Sequence, residues 1–226
     1  MSPGPAIRAE ASEAGISIVG DVAAGAVAYL DAEWLLPGRS GEVPALVLTP
    51  DGQMSFGDTD GRPVPGDVSA ERLAGVVFTA VAREAAAAVA GGDVPVEVTG
   101  DGIFARRVRS IVGSAPAGAG GATTSERPAA VVDTTGDPEV ILAATQRLAD
   151  FGVLALVGEP LDRPLDLDLY ADVHRRGLRV VGVAPPLTDP VDTGDESLAH
   201  ALDPDPVVVV AGAPLPPGAA WYRIDF

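Results

Sequence analysis

The sequence predicts an α/β protein with a mostly parallel sheet behind a small β-rich segment, and three observations predict it. From residue 94 onward, short apolar runs alternate with stretches of helical periodicity, the pattern of a sheet with helices on its faces. Those apolar runs are near-continuous rather than alternating, as in strands buried on both sides. Before residue 66 the apolar runs are separated by Gly, Pro and Asp, as strands are by turns.

Taken in order, Ile16–Val19, Ala26–Leu30 and Ala45–Thr49 are the N-terminal strands. Pro50-Asp-Gly52 is a turn signal that can close a hairpin onto Met54–Phe56. Residues 58–66 form a loop or linker, which divides the chain into residues 1–66 and 67–226. Residues 69–90 are the strongest helix. Asp67 or Ser69 caps it, Glu71 lies in its first turn, and Leu73, Val76, Val77, Ala80, Val81 and Ala85 follow helical spacing until Gly91-Gly92 ends it. Next come strand 94–99, helix 103–112, a Gly/Ala/Ser/Thr loop at 114–128, and strand 129–133. Helix 138–150 follows with Asp137 as its N-cap, then strand 153–157 ending at Gly158, helix 167–176 ending at Gly177, and strand 178–183. A short helix at 195–202, a fully buried strand at 207–211 and an edge strand at 221–226 complete the pattern.

Composition excludes several chemistries. The 226 residues include no Cys, so there is no disulfide framework, thiolate metal site or Cys nucleophile. All 15 basic residues are Arg, and the absence of Lys removes Schiff-base chemistry and the P-loop lysine. Only His174 and His200 are present, too few for an ordinary zinc site, so no metal is expected. A net charge of −17 repels nucleic acid and anionic membrane surfaces. The start lacks a basic and then apolar leader, and no run of about 18 apolar residues exists, so the expected location is the cytoplasm.

One motif points to a ligand. Strand 94–99 runs into Gly100-Asp101-Gly102-Ile103-Phe104-Ala105 and then a helix, a G-x-G-x-x-A turn in a Rossmann-like setting. Gly100 permits a tight turn, Gly102 lets a diphosphate approach the backbone, and Ala105 lets helix and strand pack closely. NAD or NADP is the cofactor this pattern suggests. Asp101, however, adds negative charge beside the phosphates, and the expected second strand with an acidic tip is replaced by the loop at 115–124, so a βα unit is missing.

The other candidates each carry a plain reading. Asp133 closes a strand as a turn or cap residue more readily than as a base. Tyr170 and His174 lie one helical turn apart, placed either to act as acid and orienter or to pack on a neighbour. Arg106, Arg107 and Arg109 meet an anion or offset the acidic surface, the second being favoured. The run Asp189–Glu196 is either a weak cation site, without the ordered ligands of an EF-hand, or a solvated loop, the second being favoured, and His200 reads as a surface residue.

The segment Ala130-Val-Val-Asp-Thr-Thr-Gly-Asp-Pro-Glu139, followed by Leu148-Ala-Asp-Phe-Gly-Val-Leu-Ala-Leu-Val-Gly158, resembles the coenzyme domain of medium-chain dehydrogenases/reductases. Residues 167–182 are similar to that family's segment before its next strand, and helix 69–90 is similar to the helix leading into the domain. The resemblance covers roughly residues 70–183. It implies that residues 1–66 are a remnant of a GroES-like domain, and the lack of Cys and His there implies a zinc-independent or non-catalytic relative, trimmed in both domains. By position, Thr134, Thr135, Gly136, Val157, Gly158 and Glu159 would line the cofactor cleft, at the edge where the crevice rule for open α/β sheets places ligands. The family's dimerisation implies a homodimer through 207–211 and 221–226. Two functions are then expected. One is a degenerate or repurposed oxidoreductase homologue acting on or binding a small molecule in a biosynthetic pathway. The other is a non-catalytic accessory scaffold that has lost nucleotide binding.

Overall fold

The computed structural model describes residues 6–13, 15–35, 41–56, 62–64, 68–90, 96–113, 127–158, 163–183 and 205–226. Most of the Gly/Ala/Ser/Thr loop, Glu159, the acidic run at 189–196 and the short helix at 195–202 lie outside these residues. The chain splits into two compact units, Met1–Phe78 with Pro185–Phe226, and Thr79–Ala184.

The first unit begins with strands β1 (Ile7–Ser12) and β2 (Gly15–Gly20), paired antiparallel. The sequence reading missed β1, although its burial alternates as a half-buried strand should. Ile7 and Ala9 are buried, while Arg8 and Glu10 are exposed. Next come β3 (Val27–Asp31), a 3-10 turn at Ala32–Leu35, and β4 (Gly41–Glu42), which completes a three-stranded sheet in the order β2-β1-β4. β5 (Leu46–Leu48) and β6 (Gln53–Phe56) form the expected hairpin, with β7 (Arg62–Pro63) beside β6. Gly52 has φ +79° in that turn, a conformation in which glycine has no Cβ to strain.

Helix α1 (Ala70–Val89) follows, starting in the first unit and ending in the second. Its Ser69 hydroxyl accepts from the Arg72 N–H at 3.3 Å, so the cap falls on Ser69.

The second unit alternates strand and helix. Its elements are β8 (Val96–Thr99), α2 (Ile103–Val112), β9 (Ala130–Asp133), α3 (Pro138–Arg147), β10 (Val153–Leu156), a π-helical turn at Leu169–His174, and β11 (Arg179–Gly182). The four strands are all parallel in the order β11-β10-β9-β8. Val131, Leu154 and Leu178 form one core with Ile141 and Ala144 of α3 and Leu148 at its C-cap. Register places Thr99, Asp133, Leu156 and Gly182 level with one another at the carboxyl edge. This is the predicted α/β class, a parallel sheet apart from a small β-rich N-terminal segment.

The two C-terminal strands depart from expectation. β12 (Val207–Val210) and β13 (Trp221–Asp225) do not extend the parallel sheet. They return to the first unit, in a six-stranded sheet ordered β12-β13-β3-β5-β6-β7. Trp221 pairs with Asp31 and Arg223 with Tyr29 across the β13–β3 ladder. The Trp221 ring packs on Tyr29 and Phe78, at centroid distances of 5.6 and 5.8 Å. That buried aromatic contact favours β3 as partner over a valine-rich parallel edge. β13 is therefore an interior strand, and β12 is the edge. Only Val209 of the valine run is buried, while Val208 and Val210 are exposed. A boundary at residue 66 does not describe this division.

Arg223 bridges Glu71 of α1 and Asp225, the latter at 2.8 Å. Burial, and then the Glu71 carboxylate, push the Tyr29 hydroxyl far above the usual tyrosine range, so it stays protonated at physiological pH. No helix among the described residues is long and apolar enough to cross a membrane.

Candidate functional site

The site is built from the loops that leave the carboxyl ends of β8, β9 and β10. The chain leaves β8 at Gly100, whose φ of +97° turns it sharply, and α2 begins after Gly102. Gly102 and Ala105 are buried, as close helix–strand packing requires. Gly102 is the N-cap of α2 in an extended conformation and, as a glycine, supplies no side-chain cap of its own. The strand–turn–helix context predicted for Gly100, Gly102 and Ala105 is therefore present.

The carbonyls of this turn are occupied from α2. Thr99 directs its carbonyl toward β9, where the Thr134 hydroxyl donates to it at 2.8 Å. Carbonyls alternate in direction along a strand, so that of Val98 points off the sheet's open edge. Arg109 Nη2 donates to it at 3.0 Å and also to the Gly100 carbonyl. Nη1 lies 3.5 Å from the Asp101 carboxylate, and Arg106 Nε donates to the Asp101 carbonyl at 3.0 Å. Arg109 is 10% exposed. Its guanidinium satisfies acceptors that an additional strand would otherwise satisfy, a known way of blunting a sheet edge. Arg106 and Arg109 hold backbone carbonyls of this turn, and Arg109 also offsets the exposed Asp101 carboxylate, in line with the favoured of the two roles weighed for them.

The β9–α3 turn is organised by Asp133, which is fully buried. Its Oδ1 accepts from the Thr99 and Thr135 hydroxyls at 2.7 and 2.8 Å, and its Oδ2 from the Gly136 N–H at 3.0 Å. Thr135 Oγ1 accepts in turn from the Asp137 N–H at 3.0 Å. Asp137 then caps α3, accepting from the Glu139 N–H at 2.9 Å, with Pro138 at the first helical position. Asp133 is thus the turn residue its position suggested, and a buried one.

The loop after β10 seals against this turn. The Val157 and Gly158 N–H groups both donate to the Asp133 carbonyl, at 2.8 and 3.3 Å. A Cβ on Gly158 would lie 2.4 Å from the Gly136 nitrogen and 2.7 Å from the Thr134 carbonyl oxygen. The structure therefore brings Thr134, Thr135, Gly136 and Gly158 together in a packed knot at the carboxyl edge. Thr134 is 0% and Thr135 7% exposed. A crevice opens where the order of strands reverses, and among the described strands β8, β9, β10 and β11 lie side by side in chain order.

Tyr170 and His174 do meet. Their rings stack at 5.0 Å, with the Arg175 guanidinium 5.1 Å from the Tyr170 centroid. The turn that carries them is π-helical, capped by Asp168, and buries none of its residues. It runs back toward the amino end of β11, so the pair lies at the opposite edge of the sheet from Gly100 and Gly136. The structure gives them no contact with the glycine turn.

Sequence reasoning missed Arg163, which returns to the carboxyl edge and pairs with Asp137 Oδ2 at 3.2 Å. An arginine in a Pro/Leu/Asp loop has no periodicity to reveal it.

The fold has counterparts among solved structures. A putative zinc-binding dehydrogenase from Clostridium scindens aligns with TM-score 0.55 and 11% identity, covering 99% of each chain. A putative zinc-binding dehydrogenase from Sinorhizobium meliloti, bound to NADP, aligns with TM-score 0.53 and 13% identity, covering all of each chain. An alcohol dehydrogenase from E. coli CFT073, complexed with NADH, aligns with TM-score 0.54 and 10% identity over 98% of this chain and 99% of that one. The chain thus has a dehydrogenase-type α/β fold. No protein-family model matches it, and no curated protein matches it in sequence.

The knot makes a direct prediction. Gly158→Ala should destabilise the protein by about 3 kcal/mol, because backbone on both sides leaves the methyl nowhere to go. Gly182→Ala, with open space around its Cβ, should change stability by less than about 0.5 kcal/mol. Urea unfolding of both variants checks this.

Proposed function

We propose that the chain is a repurposed relative of zinc-binding dehydrogenases that binds a small molecule at the carboxyl edge of its parallel sheet. It works without zinc, in a biosynthetic pathway of the cytoplasm. The observation that carries this reading is the Gly100–Gly102 turn, set between a parallel strand and the start of α2. Backbone N–H groups there suit an anionic group.

A whole NAD or NADP fits less well. Gly100, Gly102 and the first turn of α2 would hold its diphosphate. Among the described residues the acidic strand end at this edge is Asp133, which is buried and committed to Thr99, Thr135 and Gly136 and so is not offered to a ribose. The Asp101 side chain is 86% exposed beside the phosphate position, and Arg109 fills the outer edge of β8. Nicotinamide chemistry therefore plays no part in this reading, and Tyr170 with His174 supplies no proton to it. Titration with NADH and NADPH, followed by protein fluorescence and melting temperature, should give no saturable response below millimolar concentration. Saturation at micromolar cofactor would restore the NAD(P)-dependent oxidoreductase.

A second reading, an accessory scaffold, is favoured by one observation. β12 presents Val208 and Val210, 58% and 67% exposed, on an edge strand without Lys or Pro inside it. A homodimer through the C-terminal strands would use β12, since β13 is paired on both sides. Sedimentation at micromolar concentration should then give twice the chain mass, and a monomer would overturn it.

A further inference from the structure

We propose that Arg163 anchors an anionic group, a carboxylate or phosphate, on the small molecule that binds at the carboxyl edge. The inference rests on the reading that a small molecule binds there. It follows from which polar groups at that edge still have capacity. The Asp133 carboxylate accepts from three donors and is sealed from water. The Thr134 hydroxyl is committed to the Thr99 carbonyl, and the Thr135 hydroxyl donates to Asp133 while accepting from the Asp137 N–H. Arg106 and Arg109 donate to the carbonyls of the glycine turn and its strand.

Arg163 differs from all of these. Its guanidinium is half exposed and, among the described residues, makes one ion pair, through Nη2, to an oxygen of Asp137 at 3.2 Å. The other Asp137 oxygen is held by the α3 cap, so the pair is not the two-pronged contact that saturates an arginine. Several N–H donors in a fixed planar fork remain directed away from Asp137, at the end of the sheet where the β9–α3 turn emerges. In a chain of net charge −17, an anion needs such a local cation to be held. Asp137 therefore does two things: it starts α3 and it aims Arg163.

The exposed pair contributes little to folding, so the test is separable from stability. Wild type, Arg163→Gln and Asp137→Asn are titrated with inorganic phosphate and, separately, with acetate, at constant ionic strength. Calorimetry and melting temperature are the readouts. Phosphate should bind wild type saturably, and Arg163→Gln should weaken it about ten-fold while keeping the anion-free melting temperature. Asp137→Asn keeps a good cap and removes the competing carboxylate, so it should bind phosphate more tightly than wild type. Acetate that competes with phosphate assigns a carboxylate ligand, and acetate that does not assigns a phosphate. Equal phosphate binding by wild type and Arg163→Gln, or no binding of either anion to wild type, overturns the assignment. Micromolar NADH binding would instead overturn the underlying reading and leave Arg163 untouched.

Discussion

A carboxylate taken out of water is costly unless donors replace its hydration. Asp133 is sealed from solvent, and hydroxyls from Thr99 and Thr135 with the Gly136 N–H supply that replacement. The rest of the carboxyl edge depends on this one group. Thr99 ties it to the end of β8, and Gly136, at φ +65°, turns the chain so that Asp137 meets the start of α3. Its backbone carbonyl receives the first two N–H groups beyond β10. One residue thus fixes the ends of three adjacent strands. Removing it would leave the Thr135 hydroxyl proton and the Gly136 N–H without acceptors in a dry setting, and Thr99 with the longer contact to the Val132 carbonyl, which costs more than the hydrogen bonds contribute.

The same interaction shapes the functional conclusion. In an open α/β sheet the ligand crevice depends on neighbouring loops diverging where strand order reverses. Among the described strands β8 to β11 follow chain order, and the loops after β9 and β10 press together at Gly136 and Gly158. Thr134, Thr135, Gly136 and Gly158 are engaged in holding the ends of those strands. Under the proposed reading, the groups left for a ligand are those at the start of α2 and Arg163. The guanidinium of Arg109 meanwhile occupies the carbonyls of Val98 and Gly100.

Local signals in the sequence were strong where they determined the structure locally. Helix α1, the glycine turn into α2, and the Asp137-Pro138 start of α3 are legible because caps, prolines and glycines act on their own neighbours. Pairing across long distances is not. Four consecutive valines read alike in a central strand and in an edge strand, and Val207–Val210 is an edge. Trp221–Asp225 takes as partner a strand near the other end of the chain, chosen by the fit of Trp221 against Tyr29 and Phe78. Thr134, Thr135, Gly136 and Gly158 were legible as a group near one edge. Whether that group lines a crevice or fills it depends on strand order, which no local pattern encodes. The pairing of Tyr170 with His174 followed from helical spacing, but the edge of the sheet it occupies follows from the direction of the chain.

The central claim is that the buried Asp133 carboxylate closes the carboxyl edge by holding the β9–α3 turn against the end of β10. Asp133→Asn tests it most directly, because it keeps the shape and replaces one acceptor oxygen with a donor group. Amide hydrogen exchange of the variant should show protection lost at Gly136, Val157 and Gly158, with the amides of α1 unchanged. Unchanged protection at those three amides would contradict the claim.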